Sequence, residues 1–264
     1  MAGALTILLA YVKDGSNIFN VFKNAKDFGK LLVFGIFGIA MAQYTYFQAI
    51  MLSGVGVATV LQYVAPTMLI VYLFVRYFKI PSIGEVLSII LAMAGTVCMV
   101  LQEGLDFSNF NAYALLWGLL SAAGICVYSL QPIELLKKYS AMSIVGFAMF
   151  LCGIMAVGIF HNFESHAIWD GMTWLGLFTV IILGTVVSFN VYIEGVRRIG
   201  AVQGSILSSL EPISAALFGW ALLGNEFTLL GIFGMILILT TVFIIAYEKQ
   251  RKLKREVMAH LSRK

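Results

Sequence analysis

The chain of 264 residues is 61% apolar and only 11% charged, with a mean hydropathy of +0.95. Soluble domains sit near ~45–50% apolar and ~25% charged, so a single soluble globule is excluded. The formal charge of +4 comes without a basic patch interleaved with aromatics, which excludes a nucleic-acid partner. Long apolar runs with four prolines predict spanning helices, not the ~10-residue alternating strands of an outer-membrane barrel. The expected fold class is an all-α polytopic membrane protein.

In chain order, the first apolar run ends at Val12. At 1.5 Å per residue it reaches ~18 Å, against a hydrocarbon core of ~30 Å, so it forms half a span. It lacks the basic n-region of a cleavable signal peptide. Eight full spans follow, at about 32–52, 55–76, 84–101, 112–130, 142–160, 173–195, 202–223 and 227–247. Cys98, Cys126 and Cys152 fall inside these runs, and an odd, buried set is no disulfide framework.

Charge sets the orientation. Lys249, Arg251, Lys252, Lys254, Arg255, Arg263 and Lys264 crowd the tail, which is therefore expected in the cytoplasm, the basic side. Counting back across the spans puts Lys13/Lys23/Lys26/Lys30, Arg76/Lys79, Lys137/Lys138 and Arg197/Arg198 on that same face. Those sites hold all 17 basic residues. The opposite loops hold only acids: Glu103, Asp106, Glu164, Asp170 and Glu226. Anionic headgroups suit such a basic face, and the expected location is the cytoplasmic membrane, crossed many times.

Shifting the sequence by 146 positions puts Pro66 on Pro212, Gly54 on Gly200, Tyr46 on Tyr192, Gly38 on Gly184 and Leu61 on Leu207. The span at 32–52 runs outward and its counterpart at 173–195 runs inward, so the repeat is inverted, as in many secondary transporters. Residues 112–146 have no counterpart in the first half. Restoring them would give two five-helix halves, a ten-span fold whose first span and half of whose second are missing here. The expected domains are a first repeat at 1–103, an extracytoplasmic linker at 104–111, a second repeat at 112–247 and a basic tail at 248–264. A native product of 29.0 kDa would overturn the truncation. A product heavier by about 35 residues would support it.

Two prolines, Pro66 and Pro212, lie near the middle of spans at equivalent positions. A proline removes a helix hydrogen bond and clashes with the carbonyl four residues back, which frees the carbonyls of Gln62 and Ser208. Glu211 lies about nine residues into its span, where an ionised carboxylate costs at least ~2.5–3.5 kcal/mol. It must be protonated, paired or turned to a wet cavity. Ser208, one turn earlier, is expected to donate to it, and no basic residue lies at similar depth. Two readings stay open: Glu211 binds an amine or couples protons, or it is a protonated structural carboxyl. Its repeat equivalent is Ala65.

Trp117, Ser121, Gly124 and Tyr128 form one helical stripe, and Thr59, Gln62 or Tyr63, and Pro66 form another. Gln43 and Tyr46 lie on the preceding span, Asn190 and Tyr192 on its counterpart. These groups could line a cavity that orients a polar solute, or simply bond and pack between helices. Glu194 is expected to pair with Arg197 and Arg198, and Glu85 to suit a helix N-terminus.

The run from Ser205 to Trp220, with Glu211-Pro212 at its centre, then Gly224-Asn225-Glu226, resembles the second EamA domain of the drug/metabolite transporter superfamily. Tyr192 to Gly200 fits the same pattern, and Tyr46 to Ile50 with Leu61 to Pro66 match it in the first half. The resemblance covers nearly the whole chain, about Met1 to Tyr247. It implies a ten-span carrier of small metabolites with both termini cytoplasmic, whose first helix helps to line the central cavity.

Enzymatic chemistry is not expected. No aspartate falls within a span, and His161, His166 and His260 lie in a loop or the tail. His161, Glu164 and His166 read as a solvated loop, not a metal site. There is no HExxH and no phosphate loop, so neither metal nor cofactor is expected. The expected partners are a small-molecule solute and the bilayer, with proton coupling and a homodimer left open. A non-transporting membrane subunit or scaffold is the alternative to a secondary transporter or exporter.

Overall fold

A computed structural model describes residues 1–101, 112–159, 169–223 and 228–261. Glu103, Asp106, the 104–111 linker, His161, Glu164, His166 and Gly224 to Glu226 lie outside the described residues. Helices make up nearly all of the rest, with no strand among the described residues. This is the all-α membrane architecture that composition requires.

Six helices are long and apolar enough to cross a bilayer: Ala25–Gln62, Ile83–Leu101, Ala112–Lys137, Ala141–Gly158, Gly171–Ile199 and Leu229–Glu248. They contain six of the eight predicted spans. The spans predicted at 55–76 and 202–223 are instead broken helices. In the first, α3 (Met41–Gln62) ends, the chain turns, and α4 (Ala65–Tyr77) begins. In the second, α10 (Ala201–Leu207) passes through a tight 3-10 turn at Ser208–Leu210 into α11 (Glu211–Leu223). Pro66 and Pro212 each sit in the first turn after the break. There the missing N–H is one that a helix leaves unpaired anyway. The prolines therefore start helices, so the hydrogen bond that each lacks falls at a helix break and not at a kink within a continuous helix.

The 146-residue shift reappears in the backbone. A widened π-helical turn at Phe34–Ala40 is matched by one at Val180–Val187. Gly54 (φ 79°) kinks the backbone inside α3 and Gly200 (φ 95°) caps the helix Ser188–Ile199, both in conformations that only glycine adopts freely. The breaks before α4 and α11 coincide under the same shift, as do the starts of α5 (Ile83–Leu101) and α12 (Leu229–Leu261).

The chain forms two compact units, one of residues 1–45 and 123–201, the other of 46–122 and 202–264. Each takes elements from both halves of the repeat. In the first unit, α1 (Ala2–Asp14) lies along α7 (Ala141–Ile159). Its core gathers Leu31, Phe34, Leu135, Ile144 and Ile193. Near the chain's basic segments, Asp27 accepts from Lys138 Nζ at 2.9 and 3.0 Å and from the Tyr139 hydroxyl at 3.0 Å. Burial and this donation to Asp27 push the Tyr139 phenol above its ordinary range. Asn24 caps α2 (Ala25–Val33) through the Lys26 and Asp27 amides, and Lys30 pairs with Glu134.

In the second unit, α5 and α12 pack side by side. A Cβ added at Gly95 would lie 2.7 Å from the Gly234 carbonyl, and one at Gly234 would lie 2.6 Å from the Gly95 carbonyl. Ser82 and Glu85 form a reciprocal capping box, with Ser82 N–H to Glu85 Oε2 at 2.9 Å and Glu85 N–H to Ser82 Oγ at 3.1 Å. Glu248 of α12 joins that cap, accepting from Ser82 Oγ at 2.7 Å and from the Gly84 amide at 3.1 Å.

These approaches give a sign contrast. Gly234→Ala should lower the thermal midpoint of the purified protein, equivalent to about 1–3 kcal/mol, because two backbones must separate. Gly153→Ala, which meets nothing within 4 Å, should be neutral or stabilising by up to about 1 kcal/mol through helix propensity. Equal melting of the two variants would refute the close crossing.

Candidate functional site

The second unit brings three expected residues together at the helix breaks. The 3-10 turn before α11 lets the Glu211 amide donate back to the Ser208 carbonyl. The Tyr63 hydroxyl lies 3.2 Å from that same carbonyl and 3.2 Å from Glu211 Oε2. A phenol has one proton to give, so the two acceptors share or alternate for it. Tyr63 is 8% exposed, whereas Glu211 is exposed. The ion pairs among the described residues do not include Glu211.

This arrangement differs from the predicted pairing. Ser208 does not donate to Glu211: its hydroxyl turns back to the Ser205 carbonyl at 2.6 Å. The donor comes across the break from Tyr63, which the sequence placed in a stripe without showing which element its ring would reach. The Ser208 contribution is its main-chain oxygen, one of the two carbonyls that proline chemistry marked as free. Gln62 points elsewhere, donating to Ser121 Oγ at 2.7 Å, and Tyr46 pairs with the Thr59 hydroxyl at 2.8 Å. Trp117 is half-buried.

The first unit holds the remaining candidates. Tyr128 is 5% exposed. It stacks between Phe34, with centroids 5.5 Å apart, and Tyr192, with centroids 5.2 Å apart. Its hydroxyl reaches the Phe189 carbonyl at 3.4 Å, and Tyr192 pairs with the Ser129 hydroxyl at 2.8 Å. Offset ring stacking with satisfied hydroxyls is core packing. Gln43 is exposed. Asn190 donates to the Val186 carbonyl at 2.7 Å, while its own side-chain oxygen is buried without a partner.

Glu194 bonds Arg198 at 2.7 Å and Arg197 at 3.5 Å, the expected local ion pairs. Among the described residues, no group of three or more His, Cys, Asp or Glu could hold a metal. Sequence reasoning missed the Asp27–Lys138–Tyr139 cluster and the Glu248 cap. Their members lie 111 and 164 residues apart or more, and periodicity carries no signal over such separations.

The profile of the EamA-like transporter family matches residues 1–101 and 112–247. An uncharacterized inner membrane transporter of Salmonella typhimurium, YicL, is 31% identical over 251 residues, covering 95% of this chain and 83% of its own. An uncharacterized transporter of Bacillus subtilis, YcbK, is 25% identical over 225 residues, covering 80% of this chain and 71% of its own. A solved structure with a TM-score of 0.76 and 18% identity covers 95% of this chain and 85% of its own, so the fold is shared.

Packing and site residues should separate on mutation. Tyr128→Ala should cost about 3–5 kcal/mol of stability, as other buried aromatic truncations do, and be seen as a lost or strongly lowered melting transition. Glu211→Gln keeps the side chain's shape and should melt like the parent.

Proposed function

Because the chain belongs to the EamA-like transporter family and is a multi-pass membrane transporter, not an enzyme, we propose that it is a secondary carrier of small metabolites. Its solutes are amino acids, amines or drug-like molecules, and it works by alternating access in an inverted ten-span repeat. Glu211 is its coupling or amine-binding group. The single observation that carries this reading is the exposed Glu211 carboxylate at a helix break, held by one phenol and by no cation among the described residues.

Broken helices in equivalent positions of two repeats are the usual address of a carrier's central site, and the recurrence of turns and breaks at one fixed shift supports that address. Partition of all 17 basic residues to one side supports a cytoplasmic C-terminus in the cytoplasmic membrane.

The chemistry follows from one shared proton. When Glu211 is ionised, the Tyr63 hydroxyl serves the carboxylate, the stronger acceptor. When Glu211 is protonated, that advantage falls away and the Ser208 carbonyl takes the bond. Titration or amine binding thus changes the link between the end of α3 and the start of α11. Because a ligand shifts a conformational equilibrium only by binding one state better, this link is where substrate and proton would bias the carrier.

The test uses proteoliposomes with an imposed pH gradient and a panel of radiolabelled amino acids and amines. Glu211→Gln should abolish uptake or make it independent of pH, and unchanged pH-dependent uptake would falsify the coupling role. Tyr63→Phe should keep uptake but alter its pH profile, because the carboxylate loses its phenol donor, and an unchanged profile would refute the shared proton. In a background with the three native cysteines replaced, Ser208→Cys should react with a water-soluble thiol reagent. Inertness there would favour a non-transporting scaffold.

A further inference from the structure

Charge in the second unit is one-sided. Residues 46–75, 80–122 and 202–248, which are all of that unit except 76–79 and the tail, contain no Lys, Arg or His. Elsewhere in the chain Lys and Arg lie between spans or at their ends. Glu211 meanwhile stands exposed at the break before α11. A solute that reaches it finds a carboxylate and no cationic side chain at that depth.

A donor-by-donor account shows what else the break offers. Thr59 gives its hydroxyl proton to the Val55 carbonyl at 2.8 Å, so in its 2.8 Å bond with Tyr46 the phenol is the donor. Thr59 and Tyr63 lie one turn apart, joined by the bond from the Tyr63 amide to the Thr59 carbonyl at 3.0 Å. That puts the Tyr46 hydroxyl on the face that carries Tyr63, and Glu211 is within electrostatic reach of both phenols. The Tyr63 proton is divided between the Ser208 carbonyl and Glu211, and the Ser208 hydroxyl proton goes to the Ser205 carbonyl. What remains is a carboxylate, a main-chain carbonyl and two phenol oxygens, all acceptors with their own protons spent.

A solute carboxylate could turn only to helix N-termini, and these offer little. The Glu211 amide is bonded to the Ser208 carbonyl, and the Glu211 side chain already supplies the negative charge that the α11 dipole favours. Ahead of α4 the Tyr63 and Val64 amides are bonded to the Thr59 and Leu61 carbonyls, and Pro66 and Pro212 have no N–H to give.

We propose that the Glu211 site takes a protonated primary or secondary amine that carries no carboxylate, and that it rejects both zwitterionic amino acids and quaternary ammonium ions. An amino acid would bring a carboxylate that no cation meets, which is costly at membrane depth. A quaternary ion would bring charge but no N–H for the four acceptors. This inference rests on the reading of Glu211 as the group that meets the solute, and it narrows the solutes from amino acids, amines and drug-like molecules to one class.

The purified full chain is melted against rising concentrations of phenethylamine and phenylalanine, of pentylamine and norleucine, and of the trimethylammonium forms of both amines. Each amino acid differs from its amine by the carboxylate alone, and each trimethyl form by its missing N–H groups. Bound ligand raises the melting midpoint by mass action, so each series yields a Kd. At least one amine should bind, about tenfold or more tightly than its amino acid and about tenfold more tightly than its trimethyl form, the ratio expected for one charge-assisted bond. Glu211→Gln should lose the amine shift. An amino acid or a trimethyl form that equals its amine, no shift with either amine, or an amine shift that survives Glu211→Gln would overturn the proposal. The predicted order of affinities without any uptake by proteoliposomes would uphold this site and remove the carrier reading. Uptake whose pH dependence needs Glu211, with no amine shift, would keep the coupling role and overturn the amine site.

Discussion

A bilayer offers no water to an exposed peptide group, so each backbone N–H and C=O at membrane depth needs a partner within the protein. The structure follows from that constraint. Continuous helices satisfy it along their length, and the places where they stop show how the exceptions are managed. At both internal breaks a proline stands in the first turn of the next helix, so one missing donor is removed by chemistry. At the second break the Ser208 carbonyl is met twice, by the Glu211 amide and by the Tyr63 phenol. The kink and the helix end that precede these breaks fall on Gly54 and Gly200, where a side chain would be strained.

Four described carboxylates away from the breaks have strong partners. Asp27 is bound by an ammonium and a phenol, Glu194 by two guanidinium groups, and Glu85 and Glu248 by the amides and hydroxyl at the start of α5. These groups hold helix ends in place. Among the described residues Glu211 has a single neutral donor, the Tyr63 phenol, which a nearby carbonyl contests. A carboxyl so weakly committed can exchange a proton or a ligand without dismantling the fold. That contrast supports the coupling role proposed for Glu211.

Much of this was legible in the residues. Hydropathy required membrane helices, and the 146-residue shift paired Pro66 with Pro212 and Gly54 with Gly200 before any coordinates. Glu211 stood out because an ionised carboxylate at mid-span depth is expensive. Hydropathy alone draws the spans at 55–76 and 202–223 as continuous, because it averages over a window and a two- or three-residue break leaves that average untouched; only Pro66 and Pro212 mark where they break. For the stripe of Trp117, Ser121, Gly124 and Tyr128, spacing leaves cavity lining and packing equally open, because it does not show what a side chain meets. In the structure Tyr128 sits at the centre of a stack of three rings, and Ser121 receives the Gln62 amide.

What the sequence determines by itself is everything governed by local or averaged energetics. Solvent transfer makes it a membrane protein, charge distribution implies its sidedness, and proline and glycine mark where helices end. The tertiary structure alone decides which groups meet across long separations: Tyr63 with Glu211, Lys138 with Asp27, Glu248 with Gly84. The physical reason is that a hydrogen bond depends on ångström-scale geometry set by the packing of whole helices. Residue spacing along one chain fixes the face of a helix but never the neighbour that face will find.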